Sequence, residues 1–130
     1  MAVSPSSSGP TAGPQLRPSQ ALALWHSVMV SALNRSLPDL TSRQFALFLQ
    51  VYLEPPPHTV RGLAVTLNMS KPAVTRAIDR LEKLEFVRRK TDEADKRSIL
   101  VQRSVKGSVF LREFADMAAA AARKLNVPKS

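Results

Sequence analysis

The chain has 130 residues, 44% of them hydrophobic, which is enough apolar side chain for one compact domain and too little length for two. Nineteen Lys and Arg against ten Asp and Glu give a net charge of +9, the balance of a protein that meets phosphate, although an anionic membrane surface or an acidic protein would suit it too. The absence of cysteine excludes disulfides, thiolate metal sites and cysteine redox sensing, and no apolar run approaches the ~20 residues of a membrane-spanning helix.

From Met1 to Pro18 the sequence is mostly Ser, Pro, Gly and Thr, with little to bury against the entropy cost of ordering it. Residues 1–18 therefore read as a flexible tail, with only Arg17 charged, followed by one domain over 19–130. The first residues lack the basic and apolar regions of a secretory signal, which points to the cytoplasm. Between Ser19 and Ser36, Leu22, Trp25, Val28, Met29, Ala32 and Leu33 recur at three-and-four spacing, so the first helix has one apolar face, for core or for a partner helix, with Ser19 as its cap.

Thr41 and Gln44 form a capping box, flanked by Leu40 and Phe45 as a hydrophobic staple, and a second helix with the stripe Phe45, Phe48, Leu49 and Tyr52 runs to Pro55-Pro56-Pro57. Thr59 caps a short third helix that buries Val60, Leu63, Ala64 and Leu67 and ends at Asn68, a residue that tolerates left-handed backbone. Ser70 starts the next helix at once, and two helices joined by so tight a turn have the form of a helix-turn-helix. In this fourth helix, 70–84, Val74, Ala77, Ile78, Leu81 and Leu84 face inward. Lys71, Pro72, Thr75, Arg76, Asp79, Arg80 and Lys83 face out, and Pro72 falls in the first turn, where a missing N–H costs no bond.

Phe86 to Lys90 and Ile99 to Arg103 read as two strands of a hairpin whose tip carries Asp92, Glu93, Asp95, Lys96 and Arg97. A last helix over 105–125 presents Val109, Phe110, Phe114, Met117, Ala118 and Ala121, and Asn126 and Pro128 end it. The fold class that follows is mainly α with a small β-hairpin wing, a winged helix-turn-helix.

From Val60 to Lys106 there are twelve basic and six acidic residues, so the helix-turn-helix and the wing carry +6 of the total +9. Side chains near the N-terminus of a helix in the major groove reach base edges, and amides there favour phosphate. Arg76 is the base reader in this arrangement, because a guanidinium can bond a guanine edge with two hydrogen bonds, while Lys71 and Arg80 hold phosphates. For Arg80 the competing role is an ion pair on the helix surface. His26 and His58 have no cysteine, paired carboxylates or nucleophile elbow near them, and no metal-ligand spacing occurs, so the chain reads as a non-enzyme without cofactor or metal.

The stretch from Leu40 to Lys106 resembles the MarR family of winged-helix transcription regulators. Leu40-Thr41 with Gln44-Phe45, Leu63-Ala64, Ser70, Val74-Thr75-Arg76, Ile78-Asp79, Arg80-Leu81-Glu82, Phe86-Val87-Arg88-Arg89, Asp95-Lys96-Arg97 and Gly107 carry the resemblance in order and spacing. It implies that Arg97 enters the minor groove, oriented by Asp95, in keeping with the attraction of Arg to the narrow, strongly negative minor groove. The DNA-contacting set expected is thus Ser70, Lys71, Pro72, Thr75, Arg76 and Arg80 on the recognition helix, with Arg88, Asp95, Lys96 and Arg97 in the wing, 88–103.

The resemblance further implies a homodimer on a pseudo-palindromic operator, with 41–104 as the DNA-binding core. A further C-terminal helix usual in the family does not follow here, so dimerisation rests on 19–36 and 105–125. Glu85 stands where the family has the glycine that ends the recognition helix, and Ser104 replaces a threonine. Some family members bind small aromatic acids, but no residue cluster in this sequence marks such a site. An architectural nucleoid or phage-type DNA-binding protein, and a winged-helix module for an acidic protein partner, are the alternative functions.

Overall fold

The computed structural model describes residues 15–125 as five helices and one hairpin: α1 (Pro18–Asn34), α2 (Ser42–Leu53), α3 (Val60–Leu67), α4 (Lys71–Lys83), β1 (Val87–Thr91), β2 (Ile99–Arg103) and α5 (Val105–Leu125). Most of the tail expected at 1–18 and the end signals Asn126 and Pro128 lie outside the described residues. Within the described residues no helix is long and apolar enough to cross a membrane.

Local signals decide most boundaries. Thr41 caps α2 as its hydroxyl accepts the Gln44 amide at 3.1 Å, and the Gln44 side chain returns the bond to the Thr41 amide at 2.9 Å. Thr59 and Ser70 cap α3 and α4 through the amides of Gly62 and Ala73. The start of α1 differs from expectation. Pro18 supplies the fixed φ of a first helical residue, so the cap is Arg17, whose amide donates to the Gln20 side chain, and Ser19 lies inside the helix.

Three helix ends turn through a left-handed residue that is not glycine: Ser36 (φ 56°), Asn68 (φ 54°) and Glu85 (φ 66°). At Glu85 the turn is a Schellman motif, with the Phe86 amide on the Leu81 carbonyl and the Glu85 amide on the Glu82 carbonyl. The missing glycine therefore leaves the turn intact and costs it backbone strain.

The core sits between α2, α3, α4 and the base of the hairpin. Leu47, Phe48 and Val51 meet Leu63, Val74, Ala77, Ile78, Leu81, Phe86, Val87, Val101 and Phe110. The Phe48 ring lies 5.1 Å from those of Tyr52 and Phe86 and 5.9 Å from that of Phe110. Burying such side chains contributes roughly 1.5–3 kcal/mol each. The expected α2 stripe missed Leu47 and Val51, because α2 packs against α3, α4 and β2 together and so buries more than one face.

α1 packs on α5 through a smaller cluster of Val28, Met117 and Ala121, with Leu24 and Ala118 beside it. Only Val28 of α1 is buried, whereas Trp25 and Leu33 are 67% and 70% exposed and Leu22 and Met29 are exposed as well. Val109 of α5, expected in its inward stripe, is exposed too.

The hairpin pairs Val87 with Arg103 through to Thr91 with Ile99 in antiparallel register. A short bridge from Thr59 to Leu100, with the Val101 amide on the His58 carbonyl at 2.8 Å, attaches the wing to the entrance of α3. His58 is buried, and its Nε2 pairs with the Glu54 carbonyl at 3.0 Å.

Candidate nucleic-acid interface

The basic face of α4 is defined by what the opposite face buries. Val74, Ala77, Ile78 and Leu81 are buried, so Lys71, Pro72, Thr75 and Arg76 are left exposed, with Ser70 at the cap and Arg80 half-buried. Among the described residues Arg80 makes no ion pair, so its guanidinium is not spent on a helix-surface partner. In the first turn of α4 only the Lys71 amide is left without a partner among the described residues, because Pro72 has no N–H and Ala73 is capped by Ser70, and the positive end of the helix dipole there favours anions.

The wing tip is a compact turn. The Asp92 amide donates to the Ser98 carbonyl at 3.1 Å and the Ser98 amide to the Asp95 carbonyl at 2.8 Å. Asp95 accepts the Arg97 backbone amide at 3.1 Å, and its carboxylate lies 3.6 Å from Arg97 Nε. The Arg97 side chain is 93% exposed, standing off the tip with its root fixed and its end free. Lys96 beside it is exposed as well.

One side chain that the sequence reading left out of the interface ties these parts together. Arg89 of β1 reaches back to α4, where one Nη meets Glu82 and the other lies 2.5 Å from Asp79 Oδ1 and 3.3 Å from the Thr75 carbonyl. Its own amide donates to Glu82 at 3.2 Å. Burial lowers the Arg89 pKa, and the hydrogen bonds to Asp79 and Glu82 more than reverse this, so the net shift is upward. Spacing could have flagged the contact, since Thr75, Asp79 and Glu82 share one strip of the helix.

Side chains alternate along a strand, so Arg88 takes the opposite face of the hairpin from Arg89. It lines a hollow of about 380 Å3 with Pro57, His58 and Gln102. Nine of the ten expected contact residues are exposed, but Arg88 is not brought beside the recognition helix with the others.

Two further basic residues counted toward the charge are structural. Arg103 donates from Nε to the Val51 carbonyl and from Nη2 to the Glu54 carbonyl, both at 3.0 Å, closing the C-terminus of α2. Lys106 lies 3.5 Å from the Glu85 carboxylate. A second groove, about 350 Å3, runs between α2 and α5 and is lined by Leu49, Tyr52, Leu53, Leu111, Phe114 and Arg112. Among the described residues no cluster of His, Asp and Glu could hold a metal ion.

A helix-turn-helix with a basic outer helix, followed by a two-stranded wing with an exposed arginine at its tip, defines a winged helix-turn-helix protein. Residues 39–98 match the model of the MarR family, so this stretch is similar to that family. Solved structures of low identity share the fold. The transcriptional regulator Tm0710 from Thermotoga maritima has a TM-score of 0.68 and 21% identity, covering 82% of this chain and 72% of its own. The YusO protein from Bacillus subtilis has a TM-score of 0.70 at 17% identity, over 85% and 77% of the two chains. The S. aureus MepR–DNA complex has a TM-score of 0.67 at 17% identity, over 78% and 82%. No curated protein sequence matches the chain.

Proposed function

We propose that the protein is a sequence-specific regulator that binds duplex DNA as a homodimer, with α4 in the major groove and Arg97 in the adjacent minor groove. The observation that carries the reading is the division of α4 into a buried apolar face and an exposed face with Lys71, Thr75 and Arg76 at its N-terminal half. A groove about 12 Å wide admits one helix in this orientation. Arg76 reads a base edge; Ser70, Lys71 and Arg80 meet phosphate; Pro72 and Thr75 lie along the same approach. Asp95 sets the root of Arg97, and Lys96 adds charge at the wing tip. That MepR has been solved in complex with DNA supports the same use of the shared fold.

Arg88 fits this scheme less directly, because it faces away from α4. Its role is a backbone contact made only if the duplex wraps past the wing.

The homodimer is supported by the exposed apolar residues Leu22, Trp25, Met29 and Leu33 on α1, too much greasy surface for one helix to leave in water without a partner. Residues 41–104 form the DNA-binding core in this scheme, and 19–36 with 105–125 join the two copies. Two-fold symmetry then requires a pseudo-palindromic operator with half-sites about one helical turn apart.

The test is selection of bound fragments from sheared genomic DNA at near-physiological salt, where the non-specific phosphate contribution is weakened. A two-fold symmetric motif is the expected result. Retention without a motif identifies an architectural protein instead, and no retention turns the basic face toward an acidic protein partner.

A further inference from the structure

Resting on the DNA-binding reading above, we infer that Arg89 is a positioning residue that fits the recognition helix to a polyanion by engaging the Asp79 and Glu82 carboxylates on its wing side and cancelling half of their charge. The outward half of α4 carries Lys71, Arg76, Arg80 and Lys83, but Asp79 and Glu82 share the same helix. Asp79 stands three residues after Arg76 and four before Lys83, within side-chain reach of both. Left alone it would pair with the cations that DNA needs and set a negative charge near phosphate.

The geometry prevents this. Thr75, Asp79 and Glu82 follow one another at spacings of four and three, so they form a single strip along the helix, and Arg89 docks on that strip. One planar fork serves both carboxylates and the Thr75 carbonyl, and the Arg89 backbone amide holds the second Glu82 oxygen at 3.2 Å. The Arg89 side chain is 27% exposed and Glu82 40%, but Asp79 is 60% exposed, so salt screens the Asp79 pair more than the Glu82 pair. Among the described residues neither carboxylate has another ion-pair partner.

Charge compensation predicts something that a purely mechanical strut between wing and helix does not: removing the carboxylates should make Arg89 dispensable. Binding to a fluorescent mixed-sequence duplex is measured by anisotropy at low and near-physiological salt, with thermal unfolding followed for each variant. Arg89→Gln should weaken binding about tenfold at low salt, the deficit shrinking as salt rises. Adding Asp79→Asn and Glu82→Gln to that variant takes the local charge from −2 to 0 and should return binding at least to the wild-type level, although none of the original ion pairs remains. Arg89→Lys, which keeps the charge and loses the fork, should stay within about threefold of wild type.

A triple variant as weak as Arg89→Gln, or an Arg89→Gln variant that binds like wild type, overturns the role. Should Arg89→Gln not fold, Asp79→Asn with Glu82→Gln in the presence of Arg89 decides, since it should bind several-fold tighter than wild type and unchanged binding overturns the inference. Wild-type protein that holds no duplex at any salt removes the DNA-binding reading itself. Wild-type binding with an indifferent Arg89→Gln removes only the role of Arg89.

Discussion

Gly107, in the first turn of α5, lies so close to the Tyr52 hydroxyl that a single methyl group at 107 would overlap both the phenol oxygen and the Phe86 carbonyl. The same hydroxyl bonds the Phe86 and Ser104 carbonyls at 2.9 and 3.0 Å and accepts the Ser104 amide at 2.8 Å. Ser104 in turn donates to the Glu85 carbonyl at 2.7 Å and caps α5 through the Gly107 amide. One half-buried knot therefore fixes α2, the end of α4, the wing and α5 against one another.

Gly107→Ala should destabilise the fold by about 2 kcal/mol or more, because backbone must shift to admit the methyl group. Tyr52→Phe should cost about 1–3 kcal/mol by leaving buried partners without their hydroxyl. Urea unfolding of the two variants checks both. A Gly107→Ala protein as stable as wild type would mean that α5 sits further from the wing than described.

Glu85→Gly is expected to act in the opposite direction. The left-handed backbone at 85 costs a non-glycine residue about 1 kcal/mol, while the exposed pair with Lys106 contributes little. A rise in midpoint temperature of a few degrees, with DNA binding unchanged, is the outcome that fits. No rise would show that the Lys106 contact offsets the strain.

The basic residues separate into two groups by what their side chains touch. Arg103→Met should lower stability by about 1–2 kcal/mol, as the Val51 carbonyl loses its side-chain donor and the Glu54 carbonyl is left with His58 alone, and leave DNA affinity intact once the protein is folded. Arg97→Ala should leave stability intact and weaken binding, most on sites with A·T-rich flanks. Arg76→Ala should relax preference at one base position. Equal losses for Arg97→Ala across all flanks would remove the minor-groove assignment, and an unchanged motif would remove Arg76 as a reader.

Much of the fold was legible because its signals are local. Caps at Thr41, Thr59 and Ser70, the left-handed Asn68 and the three prolines after Glu54 mark helix ends by backbone chemistry that does not depend on the rest of the molecule. Leu47 and Val51 escaped notice because their burial follows from how many neighbours surround α2, which a stripe on one helix does not encode. The same limit applies to the site. Exposure of Lys71 and Arg76 follows from the period of α4, but the strand face taken by Arg88, and the reach of Arg89 to Asp79 and of Arg103 to Val51, depend on tertiary placement. A count of charges treats all of these as equivalent.

The exposed face of α1 puts the proposed dimer to a direct test. Leu22, Trp25, Met29 and Leu33 are exposed along α1, while Val28 on another face anchors α1 to Met117 and Ala121. Placing a charge in a buried apolar contact costs several kcal/mol, so Trp25→Glu should convert a dimer into a monomer at micromolar concentration. Because Trp25 is exposed in the single chain, the monomer should keep its helicity and unfold cooperatively. DNA affinity should fall steeply for a two-half-site duplex and little for a single half-site, since only the former gains from two linked contacts. Sedimentation of wild type and variant measures the first step and half-site titration the second. A wild type that sediments as a monomer, or a variant that remains a dimer, would move the interface away from this face of α1.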